Sequence, residues 1–528
     1  MTHRSTLIGW LFGIWFSVVV GVASSPPPEA VDAIELRRVG TITGADHQRF
    51  REIGFDVPAG IDRLDIDFSH DGQGVRTVVD LAVYDESGFR GASGSNKTAL
   101  TIGAVDATPS YRPGPIRAGT WRIVMSFPNV RATVGLPGRG MPPTNYEVRI
   151  RLHRKGHVLP ESAFVAGPLR AAAGWYRGDF HTHTAHSDGS CESRSGRRVP
   201  CPIFKTLLAA EREALDFIAI TDHNTNSHYN GLRELQAYFD QLLIIPGMEM
   251  TTFGGHANVL GIDQWPAFLK PDSSAVDIAA VFSETRRRRG LVIVNHPGLP
   301  ANEDCMGCGW SGQAGWNEVD AVEVVNGGSL LRFASAEGPF SALEYWQRLL
   351  DRGIRVAAIA SSDSHDPAAA ADRQVPVGRP RSVVYATQLS QRAIFSSVRD
   401  GLVFVDVDGT QTRHVDLNVI TATQNVAMGG SVQLASETDF SLEIATRDVL
   451  GQQLIVTIGD SIRGRIVQSH AISSAAMTLP FKTSGCERWL RADIRDRATG
   501  RLLLISNPIY FVTDMKSQPT CNGPAGKP

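Results

Sequence analysis

From about Asp46 to Leu152 apolar and polar residues alternate in short runs, "RLDIDFSH", "TVVDLAVYD", "TWRIVMSF" and "YEVRIRL", separated by turn residues. A period of two over runs of this length predicts half-buried strands, and several in succession predict an all-β sandwich over about residues 40–155. The segment "HRKGHVLPESAFVAGPLRAAAG" reads as a linker. After it the rhythm changes. Short apolar runs, "GWYRGDFH", "DFIAITDH", "LLIIPGMEM", "HANVLGI", "LVIVNHP", "VDAVEVVNG", "RVAAIASSDSH" and "SVVYA", are interspersed with segments of helical spacing. The latter are "PIFKTLLAAEREAL", with Phe204, Leu207, Leu208 and Leu215, then "GLRELQAYFDQL", "SSAVDIAAVFSETRRRR", "SALEYWQRLLDR" and "SQRAIFSSVRDG". This predicts a parallel α/β architecture over about 174–405. Beyond Asp406 the alternation returns in "HVDLNVITA", "DFSLEIATRD" and "RWLRADIRD", predicting a small C-terminal β domain over about 410–514.

A chain of 528 residues with 42% hydrophobic and 20% charged residues is long enough for several globular cores. A formal net charge of −2 offers no general attraction to nucleic acid or to an anionic membrane. Arg4 precedes an apolar run from Leu7 to Ala23 and the small residues "VASS", so residues 1–25 read as a secretory signal. The expected location is secreted or periplasmic, the alternative being an uncleaved N-terminal anchor facing the periplasm. Six cysteines fit an oxidising compartment, with Cys191–Cys201, Cys305–Cys308 and Cys486–Cys521 as sequence-local disulfides. The rival reading is a zinc knot of "CMGC" with Cys191 and Cys201.

The chemistry-bearing residues gather where the apolar runs end. His181 and His183 close the first, with Asp188 just beyond; Asp222 and His223 close "AITDH"; Glu249 closes "IIPGMEM". His256 opens "GHANVLG", His296 closes "IVNHP", and Asp363 and His365 close "AIASSDSH". Two side chains two residues apart point the same way from extended backbone, so "HTH" and "DSH" can each turn both groups towards one metal. Imidazole with carboxylate is the donor mix for zinc, manganese or iron. One histidine at a strand end is usually a bystander; five clusters in the same position are not. Nothing resembles the G-x-S-x-G nucleophile elbow of a serine hydrolase.

"HTHTAHSDG", "TDH", "GMEM", "HANVLG", "NHPG" and "SSDSH" together resemble the successive motifs of the PHP (polymerase and histidinol phosphatase) superfamily, over roughly Gly174 to Val405. The leader, the preceding β region, "VEVVNG", "VGRPRSVVYA" and "ISNPIYF" are most similar to its secreted metallohydrolase branch, which includes carbaryl hydrolases. The resemblance implies a distorted seven-fold β/α barrel flanked by the N-terminal β-sandwich and the C-terminal β domain. It implies two or three divalent metal ions (Mn, Zn or Fe): one on His181, His183, Glu249 and Asp363, one on Glu249, His256 and His296, and one on Asp188, His223 and His365. Glu249 would bridge. His186 is a candidate proton donor, and Arg379 and Arg381 are candidates for holding an anionic substrate group, Arg381 also for acting in the reaction. Asn295 and Asn326 are weaker candidates of that kind, and Asp222 is expected to orient a histidine. The expected function is hydrolysis of a small-molecule phosphate ester. The alternatives are a carbamate or carboxylic ester, or a non-catalytic exported binding protein whose N-terminal β domain holds carbohydrate or protein.

Overall fold

The computed structural model describes residues 33–512 apart from 73–76, 96, 131–142, 157–163, 166, 267–277, 302–307, 312–314, 334, 339, 369–374, 434 and 436. The signal segment, Cys305 and Cys521 lie outside the described residues, and with them the leader and the Cys305–Cys308 and Cys486–Cys521 pairings. Among the described residues no helix is long and apolar enough to cross a membrane.

The N-terminal part is two four-stranded antiparallel sheets. One holds Ala33–Ile42, Thr144–Arg154, Ile61–His70 and Ala99–Gly103 in that order; the other holds Phe50–Val57, Gly119–Asn129, Val78–Asp85 and Gly88–Ser93. Their inward residues form one core, with Leu64, Val148 and Ile150 of the first sheet against Val83, Trp121, Ile123 and Met125 of the second. Asp106 docks this unit on the rest of the chain: Arg63 lies 3.4 Å from its carboxylate, and Arg233, on the helix Tyr229–Gln236, pairs with the other oxygen. Two guanidiniums compensate the burial of one carboxylate.

The remainder is organised on one mixed sheet of fifteen strands. Its order runs Ala357–Ser361, Ala321–Asn326, Leu291–Val294, Gly255–Leu260, Leu243–Thr252, Phe217–Ile220, Gly174–Asp179, Arg381–Ala386 and Val403–Asp406. It continues through Leu502–Ser506, Glu487–Arg495, Gln453–Asp460 and Gly464–Ala471, and Ile509–Val512 branches from Glu487–Arg495 to pair with Ser431–Gln433. Phe217–Ile220 and Leu291–Val294 are buried at every position, which explains why they read as continuous apolar runs. The helices are amphipathic: in Ile203–Arg212 the buried Ile203, Leu207 and Ala210 recur at helical spacing and make one apolar face.

This architecture overturns the expected seven-fold β/α barrel. The described residues contain six α-helices, the sheets outweigh them, and no barrel is closed. Strict helix alternation fails at Leu243–Leu260, where two residues, Phe253 and Gly254, join antiparallel strands and leave no room for a crossover helix. Arg381–Ala386 also enters antiparallel to Gly174–Asp179. Ala357–Ser361 has no ladder to that region; instead Ser382 Oγ accepts from Ala360 N (3.0 Å) and donates to Ala360 O (2.8 Å). On the far side the same sheet runs on into the C-terminal strands, and Val383 and Phe404 share a core with Leu417, Leu442 and Leu490.

Asp179 locks the two strand ends that carry "HTH" and "DSH". It is fully buried; Oδ1 accepts from His181 N (3.2 Å) and Ser362 N (3.1 Å), and Oδ2 accepts from Gly378 N (2.8 Å). Burial raises its pKa to about 6 against the pull of these donors. Asp179→Asn would set an amide donor against one of three N–H groups, leaving a buried donor unsatisfied. A loss of about 1–3 kcal/mol is expected, read as a lower urea midpoint at pH 7.5; an unchanged midpoint would show that the lock carries no stability.

Candidate metal centre

The centre forms where strand ends meet. Beyond Asp179 the chain stays extended, and an isolated parallel bridge pairs Thr182 with Ser364. Asp363 N donates to His181 O and His183 N donates to Ser364 O, each at 3.0 Å, so "HTH" and "DSH" lie side by side. A second bridge pairs His223 with Glu249.

The donor atoms then fall into three sets. In the first, His181 Nε2 lies 3.2 Å from Asp363 Oδ1 and 3.3 Å from Glu249 Oε2. His183 Nε2 lies 3.0 Å and 3.5 Å from the same two oxygens. In the second, His256 Nδ1 and His296 Nε2 are 3.2 Å and 3.4 Å from Glu249 Oε1. In the third, His365 Nε2 and His223 Nε2 are 3.3 Å and 3.7 Å from Asp188 Oδ1. Two donors each about 2.1 Å from one ion and about 90–110° apart are separated by about 3.0–3.4 Å. Most of these spacings match that separation.

The buried atoms support the same reading. His181 Nε2 and Glu249 Oε2 form no hydrogen bond although they are only 3.3 Å apart, and His223 Nδ1 lies 2.8 Å from the same oxygen. Lone pairs that crowd together without pairing are what ligands of a common cation would show. Groups that could hold a metal ion are His181, His183 and Asp363; His181, Glu249 and His296; and His183 with Asp188, His223 and His365, so neighbouring sets share donors. Cys308 also lies near His256 and His296, but its sulfur is disulfide-bonded and therefore offers no thiolate. Cys191 and Cys201 form a disulfide, which removes the zinc-knot alternative.

Burial works against charge on every group here, and the neighbours decide the outcome. For His181 the carboxylates of Asp363, Glu249 and Glu323 overcome burial and lift the pKa well above the ordinary value. For His365, Asp188 and Asp363 overcome burial and lift it to about 9. In His183, burial and repulsion from His365 act together and lower it. Glu249 is held well below the usual carboxylate range despite burial, by His181 and His223. His296 and Asp363 have φ of 27° and 54°, a left-handed conformation that costs about 1–3 kcal/mol each in residues other than glycine.

The other anticipated residues lie around this centre or away from it. His186 is exposed, and its Nδ1 is 2.8 Å from Ser227 Oγ. Asp222 faces His228, whose Nδ1 lies 3.3 Å from its Oδ2, rather than the adjacent His223. Its carboxylate accepts from Thr184 N (2.8 Å), Thr184 Oγ1 (2.7 Å) and Ser187 Oγ (2.7 Å), so it shapes the loop after "HTH". Arg379 and Arg381 do not face the donor sets: both turn to Glu213, at 2.9 Å and 3.5 Å, and Arg381 also donates to Gly378 O. Asn295 Nδ2 donates to Glu249 Oε1 (2.9 Å) and Asn258 Oδ1 (3.0 Å). Glu323, which no spacing in the sequence singled out, is fully buried with Oε1 3.3 Å from His181 Nδ1. Its only sequence signal is an acidic residue inside an otherwise apolar strand.

No family model matches the chain. An alignment over 83 residues, covering 14% of this chain, is 35% identical to an uncharacterized protein of Methanocaldococcus jannaschii and spans 34% of that protein's length.

Metal uptake should release protons. His365 keeps its proton up to about pH 9 in the ion-free protein, so at pH 7.5 a cation must displace it. Titration calorimetry in buffers of different ionisation heat should report release of at least about one proton at pH 7.5, declining as the pH rises through about 9. Binding heats independent of the buffer would refute the assignment of His365 as a ligand.

Proposed function

We propose that the chain is a metal-dependent hydrolase acting on a phosphate ester, in keeping with the order of motifs that resembles the PHP superfamily. The observation that carries this reading is the placement of Glu249: one oxygen faces His181 and His183, the other His256 and His296. A single carboxylate so placed would serve as ligand on both of its oxygens. Divalent ions held by these residues would supply Lewis acidity, and Mn, Zn and Fe all suit these donors.

The chain's own residues divide the remaining work. Asp188 is 58% exposed, and His223 and His365 are partly exposed, so the third set forms the open side from which a substrate approaches. Asn295 steadies the oxygen of Glu249 that faces the second set. His186, exposed and held through Nδ1 by Ser227, is the candidate to protonate a leaving group near the mouth. With Arg379 and Arg381 committed to Glu213, no guanidinium is assigned to the substrate. Three divalent ions, if all were held, would outweigh the carboxylates of Asp188, Glu249, Glu323 and Asp363 and leave a positive site that favours an anionic ester, whereas two would only balance them.

The test is a panel of aryl phosphates, phosphodiesters, N-methylcarbamates and carboxylic esters, each assayed with Mn, Zn or Fe. Phosphate esters should turn over fastest. Glu249→Gln should lower kcat/KM by at least about 100-fold, since loss of a group merely supporting a ligand already costs about 10–100-fold. Faster turnover of carbamates would change the substrate class. Unaltered rates in Glu249→Gln would remove the bridging role.

A further inference from the structure

We infer that Glu323 is a positioning residue that couples two of the donor sets, setting the orientation of His181, the backbone at His296 and, through Asn326, the carboxylate of Asp363. The inference rests on the three sets holding metal and is independent of which ester is cleaved.

Each oxygen of Glu323 has a separate task. Oε1 lies 3.3 Å from His181 Nδ1, and Oε2 accepts from His296 N at 2.9 Å and from Asn326 Nδ2 at 3.1 Å. Asn326 Nδ2 also donates to Asp363 Oδ2 at 3.2 Å. An imidazole whose Nδ1–H is held by a carboxylate must present Nε2 as its lone-pair donor, with increased basicity. That is the atom of His181 left without a hydrogen-bond partner between Glu249 and Asp363. The bond to His296 N holds a residue of left-handed backbone whose ring belongs to the second set. One buried carboxylate thus touches a residue of the first set and one of the second.

The backbone is built to allow this. Glu323 and Asn326 are three residues apart, and in a regular strand they would face opposite sides. A register shift between Glu323 and Val325 intervenes: Glu323 pairs with Ile359 and Asn326 with Ser361, partners only two residues apart. The bulge puts both side chains on one face, where they bond to each other, and bulges often re-aim side chains beside functional sites.

The experiment compares wild type, Glu323→Gln, Asn326→Ala and a remote control, Arg37→Gln, by calorimetric titration with Mn(II) and by the visible spectrum of the Co(II)-loaded proteins; circular dichroism verifies folding. In Glu323→Gln the affinity should fall about 10–100-fold and the cobalt bands should shift. Asn326→Ala should shift them less, and the control should match wild type. A folded Glu323→Gln with wild-type affinity and spectrum overturns the inference. Should that variant not fold, unaltered affinity and spectrum in Asn326→Ala overturn it. A wild-type protein that takes up neither ion refutes the metal reading and this inference together, whereas failure confined to the variants refutes the inference alone.

Discussion

A carboxylate withdrawn from water is costly unless charge and hydrogen bonds are returned to it, and the centre is arranged around one that is 1% exposed. Glu249 lies within 3.5 Å of ring nitrogens from His181, His183, His223, His256 and His296, and Asn295 bonds to it as well. Five imidazoles from four segments converge on one side chain. Without a cation the cluster is balanced by protons, which is why His181 and His365 are driven towards the charged form. The same lone pairs could serve a cation in place of protons.

Convergence of this kind demands that strand ends be held in register while the side chains beyond them remain in strained or unpaired states. The structure separates the two requirements. Asp179, the Thr182–Ser364 bridge and Ser382 join the strands that carry "HTH" and "DSH". Asp222 fixes the loop from Thr184 to Ser187. The left-handed backbone of Asp363 and His296 persists because hydrogen bonds at their own N–H groups hold it. Rigidity comes from polar side chains buried below the centre, and openness from Asp188 at its rim.

Electrostatics also explains where the arginines went. A guanidinium beside the donor sets would compete with cations for the carboxylates. Arg379 and Arg381 instead neutralise Glu213 at the end of the helix Ile203–Arg212. Arg286 and Arg399 likewise converge on Asp320 beneath the sheet. Positive charge near the centre is thereby left to whatever ion the imidazoles hold.

The sequence by itself determined the local elements and the donor inventory. Periodicity located five of the six helices from Ile203 to Arg399, missing Gly327–Phe333, because an amphipathic face is written in neighbouring residues, and "HTH" and "DSH" announced paired donor groups, because extended backbone turns alternate side chains the same way. Only the tertiary structure decided what those elements build. The expected barrel failed because strand direction and ladder closure are long-range choices: a two-residue turn at Phe253–Gly254 and an antiparallel Arg381–Ala386 carry no signal in the apolar pattern. The arginines of "GRPRS" were misplaced because a basic residue near a loop looks the same whether it meets a substrate or Glu213. Glu323 stayed hidden because its role depends on a bulge that breaks the very alternation from which side-chain direction is read. Short-range periodicity is encoded by adjacent residues, whereas direction, closure and re-aimed side chains are settled by contacts between segments far apart in the chain.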